Sequence, residues 1–164
     1  MDGPAKVNIE TDKIKAAVDD ALLEGMNASF LSLSRLIRGK LSQAGTGRVY
    51  RVAKGKKTGR NLRARGFHRA SAPGYPPAVD TNRLRASWMV DLGRWRYGYA
   101  LIEKKQNRTV LRYGSSVVYA PVMEYGSRSG KIKPRPYLRP SVAVFKNHVE
   151  RLFAVAFQRN FGGK

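Results

Sequence analysis

The sequence predicts an α+β domain: a long N-terminal helix, an antiparallel β-sheet with a basic loop insertion, and a C-terminal amphipathic helix packed on the sheet. Three observations predict it. Apolar residues recur every three or four positions from about residue 9 to 40, residues around 88 to 113 alternate, and a second three-four stripe runs from 142 to 156.

The first stripe is Ile14, Val18, Leu22, Met26, Phe30, Leu33, Ile37 and Leu41, widened by Ala17 and Ala21. Acids come early (Glu10, Asp12, Asp19, Asp20) and bases late (Arg35, Arg38, Lys40), the order that suits the helix dipole. Thr11 is a fitting N-cap, and Gly39 or Gly45 marks the exit. In the middle, Trp88, Val90 and Leu92 alternate with Met89 and Asp91. After a turn at Gly93, Tyr97, Tyr99 and Leu101 repeat the pattern, and Thr109, Leu111 and Tyr113 follow on a return strand. This reads as an antiparallel meander with one apolar face. Pro121 suits the first turn of a short helix and Gly126 its stop. Pro140 opens the last helix, whose apolar face is Val142, Phe145, Val149, Leu152, Phe153 and Ala156, with Gly162-Gly163 at its end.

Composition bounds the rest. The 164 residues suffice for one domain with a real core, and 42% hydrophobic content is too apolar for a wholly disordered chain. Lys and Arg number 32 against 11 Asp and Glu, a net charge of +21. That imbalance points to a polyanionic partner. It is densest between Glu24 and Asp80, where no acid occurs. There lie Arg48, Arg51, Lys54, Lys56, Lys57, Arg60, Arg63, Arg65 and Arg69, interleaved with glycines. We read a short strand at Arg48 to Val52, then a flexible basic arm at about 53–70. A second flexible loop is expected at about 126–134, in a single domain spanning 1–164. The chain lacks cysteine, so disulfides and thiolate metal sites are excluded. No apolar run approaches a spanning helix, and Met1-Asp2-Gly3-Pro4 lacks the form of a signal peptide. The expectation is a soluble protein made in the cytoplasm.

Catalytic chemistry finds no constellation. The two histidines, His68 and His148, have no metal-ligand spacing around them. The Gly-Lys pairs before Lys56 and Lys131 lack the upstream glycine of a phosphate loop, with Tyr50 and Tyr125 in its place. Ser71 has no nucleophile-elbow pattern. Asp80, Asp91, Glu103 and Glu124 are the only acids between Glu24 and Glu150, and no paired motif joins them. The expectation is a protein that is not an enzyme and needs no cofactor or metal.

Two proline-bracketed segments carry the most specific signal. The first runs Ser71-Ala72-Pro73-Gly74-Tyr75-Pro76-Pro77, then Asp80-Thr81-Asn82-Arg83-Leu84-Arg85. The second runs Tyr119-Ala120, Glu124-Tyr125-Gly126 and Arg135-Pro136-Tyr137-Leu138-Arg139-Pro140. Together they resemble the head–tail joining, neck or tail-completion family of long-tailed bacteriophages, over about residues 47 to 143. Two departures show: Asn82 stands where the family usually has glycine, and Tyr75 where an acid is common. Asn also enters the left-handed region, so the first is tolerable.

The resemblance implies a virion structural protein of the neck region, joining the DNA-filled capsid to the tail. Its expected partners are further copies of itself in a ring and neighbouring neck, connector and tail-terminator proteins, with no membrane. Arg83, Arg85, Glu124, Arg135, Tyr137 and Arg139 are the expected interface residues. The basic arm would reach packaged DNA or an acidic partner ring. The rival reading, carried by the charge alone, is a free basic nucleic-acid-binding protein. The purely structural reading of the motifs is stiff loops, with Asp80 or Thr81 capping a turn and Tyr137 and Leu138 filling the core.

The arm's composition generates a prediction. Glycine and like charge leave residues 53 to 66 few contacts to offset an ordering cost of about 1–2 kcal/mol per residue. Limited trypsin digestion should cut there first; first cleavage inside 142–156 with the arm intact would contradict it.

Overall fold

A computed structural model of the chain describes residues 11–51, 67–78, 82–88, 92–105 and 108–162. It is an α+β architecture, as the sequence predicts. In chain order the elements are α1 (Thr11–Leu41), β1 (Val49–Arg51), β2 (Phe67–Arg69), α2 (Arg83–Ala86), β3 (Gly93–Trp95), β4 (Gly98–Lys105), β5 (Arg108–Ser115), α3 (Ala120–Tyr125), α4 (Leu138–Lys146) and α5 (Val149–Phe161). The strands make two antiparallel sheets, a β1-β2 ribbon and a β3-β4-β5 meander. Among the described residues, no helix is long and apolar enough to cross a membrane.

The central scaffold is α1, which packs against α5, α4, α2 and β5. Its buried face differs from the expected stripe. Ala21, Gly25, Ser29, Phe30, Ser34, Ile37 and Leu41 are buried, whereas Ile14 is 48% exposed. The reason is close helix packing. Ala21, Gly25 and Ser29 stand one turn apart, so α5 can approach the α1 backbone there. At the contact, a Cβ on Gly25 would lie 2.5 Å from Cδ1 of Phe153. Glu24 ties the same region down, accepting hydrogen bonds from Arg159 (2.8 Å) and Asn160 (3.1 Å).

The last helix is also corrected. It begins at Leu138, two residues before Pro140, and it breaks at Asn147-His148 into α4 and α5. Pro140 is tolerated because a first-turn residue needs no N–H for an intrahelical bond. At the break, Asn147 and His148 donate to Val144 O and Phe145 O, the tighter i to i+3 pattern of a helix end.

Of the alternation expected from Trp88, Met89, Val90 and Asp91 lie outside the described residues; Trp88 is buried just after α2, and the first described strand of the meander is Gly93–Trp95. Gly93, read as a turn, is the first residue of β3 with φ 119°. The phase of β4 is reversed. Paired residues share a face, and the pairs Ala100↔Tyr113, Ile102↔Leu111 and Lys104↔Thr109 form one set. Tyr113 meets Phe30 edge-on at 4.9 Å, and Lys104 pairs with Asp19, so this set faces α1. Tyr99 and Leu101 lie on the opposite face, where Tyr99 covers Gly114 and Arg94 lies over its ring. Tyrosine is amphipathic and occupies either face of a half-covered sheet, so three residues of alternation could not fix the phase.

Around the meander's inner face the core joins Ile37 and Leu41 of α1, Leu84 of α2, Trp88, Val117, Ala120 of α3 and Tyr137. Trp88 sits between Tyr113 (5.0 Å) and Tyr137 (6.1 Å), both edge-on. Burial pushes the Tyr113 phenol up to about 12, although its O–H donates to Ser34 Oγ at 3.0 Å.

Phe67–Arg69, placed by the sequence within the flexible arm, form β2. The 126–134 loop, expected to be loose, is closed by its own bonds. Ser127 N donates to Ile132 O (2.8 Å), Ile132 N to Ser127 Oγ (2.9 Å) and Gly130 N to Ser127 O (2.9 Å).

The α1–α5 contact sets a prediction. Gly25→Ala gains about 1 kcal/mol of helix propensity. The new methyl meets the Phe153 ring from Cγ outward, where the ring has no free end to swing. We expect a net loss of roughly 1–2 kcal/mol, read by urea denaturation. A stabilised variant would show that α5 yields at this point.

Candidate functional site

The two proline-bracketed segments meet around α3. That helix begins at Ala120 with Pro121 in its first turn, and Gly126 ends it with φ 86°. A side chain at Gly126 would strike Ile132 O at 2.8 Å, so the exit requires glycine. This short helix places Glu124 beneath the start of α4.

The first turn of α4 has no acid, and Tyr137 at its N-cap makes no side-chain cap. Its orphan N–H groups are satisfied by Glu124 instead. Tyr137 N and Leu138 N donate to Glu124 Oε2, each at 2.8 Å, and Arg139 N donates to Oε1 at 2.9 Å. Arg139 Nε adds a bond to Oε1 at 3.0 Å, and its Nη2 reaches Glu124 O at 3.2 Å. Glu124 is 1% exposed. Burial pushes its carboxyl up, but the three backbone N–H groups and the guanidinium outweigh that and hold it below the ordinary carboxylate value. Burial also pushes the Tyr137 phenol well above its ordinary value.

The first segment is stitched to the same unit. Gly74 N donates to Pro134 O at 2.9 Å, and Arg135 Nε donates to Ser71 O at 3.1 Å. Arg135 N donates to Met123 O at 2.7 Å, which joins the segment to α3. Outside this framework stand the exposed rings of Tyr75 and Tyr125 and the exposed side chain of Ile132. The Arg139 guanidinium lies 5.1 Å from the centre of the Tyr125 ring.

The expected interface residues therefore divide. Glu124 and Tyr137 are buried and cannot make an intermolecular surface as placed, which corrects that assignment. Both were marked by position in a motif, and the motif records the cap as much as any contact. Arg139 is exposed along one side but spends its guanidinium on Glu124 of its own chain. Arg135 is half-buried and bonded to Ser71 and Lys133 carbonyls. Arg83 and Arg85 lie elsewhere, on α2. Arg85 bonds to Asn82 Oδ1 (2.7 Å) and Ser42 Oγ (3.3 Å), and Arg83 is exposed. Asn82 has φ 60°, the one positive value at a non-glycine among the described residues. Tyr75 and Tyr125 were missed as surface residues, though both lie inside the quoted motifs.

Of the expected polyanion contacts, Arg48 just before β1 and Arg69 in β2 are exposed, and Arg51 lies in β1. Lys54, Lys56, Lys57, Arg60, Arg63 and Arg65 lie outside the described residues, as do Asp80 and Thr81. Among the described residues, no group of three or more His, Asp or Glu side chains is placed to hold a metal. Comparison with family models, curated proteins and solved structures finds no match.

The cap yields a prediction with a definite sign. Glu124→Ala strands three N–H groups at the start of α4 and should cost about 3–5 kcal/mol. Because the carboxyl is depressed in the fold, its contribution is complete above the ordinary value of 4.5 and disappears as pH falls through the lower folded value. The stability gap between wild type and Glu124→Gln, read from denaturation midpoints, should therefore narrow on acidification. A constant gap would mean the carboxylate charge contributes nothing.

Proposed function

We propose that this chain is a virion structural protein of the head–tail junction in a long-tailed bacteriophage. It acts as a neck or tail-completion component that joins the filled capsid to the tail by ring or adaptor contacts. One observation carries the reading beyond the motif resemblance: the two motif segments, distant in sequence, are hydrogen-bonded into one stiff surface, by Gly74 to Pro134 and Arg135 to Ser71. A surface already held in its bound shape loses little entropy on docking. Its exposed Tyr75, Tyr125 and Arg139 are residue types that dominate protein interfaces. The work done is binding without turnover, with partners that are further copies of the chain and neighbouring neck, connector and terminator proteins. The free nucleic-acid-binding reading keeps one specific support, the charge of +21.

The test uses surface tyrosines, because Arg139→Ala also weakens the α4 cap. The double variant Tyr75→Ser, Tyr125→Ser should keep the wild-type melting temperature yet lose a discrete multimer in native mass spectrometry. In a phage lysate it should leave filled heads and tails separate under the electron microscope. Normal virions from this variant would defeat the proposal. A wild-type chain that stays monomeric and is absent from virions would favour the free nucleic-acid reading.

A further inference from the structure

The β1-β2 ribbon has an exposed apolar face that the neck reading does not use. Val49 pairs with Arg69, Tyr50 with His68 and Arg51 with Phe67. Phe67 is 72% exposed and Val49 45% exposed; the exposed Arg69 shares their face, and the exposed Arg48, one residue before Val49, alternates to the other. Small residues and hydrogen bonds fix the ribbon's base. Gly47 N donates to Ala70 O at 2.7 Å, Ala70 N to Arg48 O at 3.0 Å and Ala72 N to Thr46 Oγ1 at 3.1 Å. A Cβ on Gly45 would fall 2.0 Å from Arg69 O, so the two chains run in contact there. The two strands are thus locked to each other at the base, and the chain runs on from there into Ser71, whose carbonyl accepts from Arg135. The ribbon also lies in the stretch between Glu24 and Asp80 that has no acid.

We infer that the β1-β2 ribbon is a duplex-DNA contact, with Arg48 and Arg69 on phosphates and Phe67 and Val49 against the apolar parts of the groove. Charge selects a polyanion. A protein surface mixes charges of both signs, whereas the ribbon lies in a stretch without acids that suits the unbroken row of phosphates of a duplex, and its arginines and apolar residues call for charge and apolar surface together. Duplex DNA offers both within a few ångströms: phosphates along each groove edge, and thymine methyls and sugar faces between them. A two-stranded ribbon also matches the major groove, about 12 Å wide. The inference deepens the polyanion side of the proposed function, but its chemistry does not depend on ring assembly.

The test measures binding of the purified full chain by fluorescence anisotropy across a salt series. The probes are a short DNA duplex, the same sequence as a single strand, and polyglutamate. The variants are Phe67→Ser, the pair Arg48→Ala with Arg69→Ala, and a control pair, Lys146→Ala with Arg151→Ala, exposed on α4 and α5. Duplex should bind more tightly than either other probe. The ribbon pair should flatten the log–log salt slope by about 1.8, at roughly 0.9 per phosphate contact, and the control pair should leave it unchanged. Phe67→Ser should weaken duplex binding several-fold at an unchanged slope. Equal losses from ribbon and control pairs, or no effect of Phe67→Ser, would reduce the ribbon to generic charge and overturn the inference. Polyglutamate bound as tightly as duplex would reassign the surface to an acidic protein, and a preference for single strand would overturn the groove contact. Assembly is read separately in lysates, so failure of DNA binding leaves the neck proposal standing, and the reverse holds.

Discussion

The structure turns on one buried carboxylate. Glu124 has four donors within 3.0 Å, three of them the backbone N–H groups that open α4. Buried charge is costly alone and stable only when its acceptor capacity is filled. Here the helix N-terminus supplies most of the compensation and Arg139 the rest. The arrangement also fixes where α4 begins, since a helix start needs acceptors and this one has no local side chain to provide them. Three elements are thereby set relative to one another: α3 carries the acid, α4 receives it, and the 126–134 loop between them is closed by its own hydrogen bonds.

From that point order passes into the core through Tyr137. Its ring meets Trp88, Trp88 meets Tyr113, and Tyr113 meets Phe30 of α1. One serine binds this aromatic run where it crosses α1: Ser34 Oγ donates to Trp88 O at 3.2 Å and accepts from Tyr113. Among the described residues the indole N–H of Trp88 makes no well-formed hydrogen bond, a local cost accepted where four large rings pack together. The core joins α1, α2, β5, α3 and the start of α4, so the platform bearing Tyr75 and Tyr125 rests on the same packing as α1 and the meander.

How much of this was legible in the sequence depended on the range of the interaction concerned. The long helix, the meander and the α+β class were legible because periodicity is a local record of burial. Asn82 in the left-handed region was legible for the same reason, since its conformation is its own. Gly25 and Ser29 on α1 were not, because they are buried by the approach of α5 rather than by their own hydrophobicity. The start of α4 was placed at Pro140 because proline marks helix entry, but a remote acid moved the entry back to Leu138. At the candidate site, sequence reasoning found the right segments but gave Glu124 the wrong exposure, and of the two roles offered for Tyr137, interface and core, the structure has the core. A motif residue looks the same in a sequence whether it faces a neighbour or the interior.

The remote cap has a consequence for the order in which the chain folds. A peptide spanning α4 alone would have no side-chain acceptor for its leading N–H groups, so its nucleation would be poor even by the standards of short helices. The missing acceptor lies upstream on α3, a helix of six residues that is itself too short to persist alone. Neither helix is a self-sufficient folding unit, and each supplies what the other lacks. The pair must form in one cooperative event, so on a ribosome it waits until Glu124 and the first turn of α4 have both emerged.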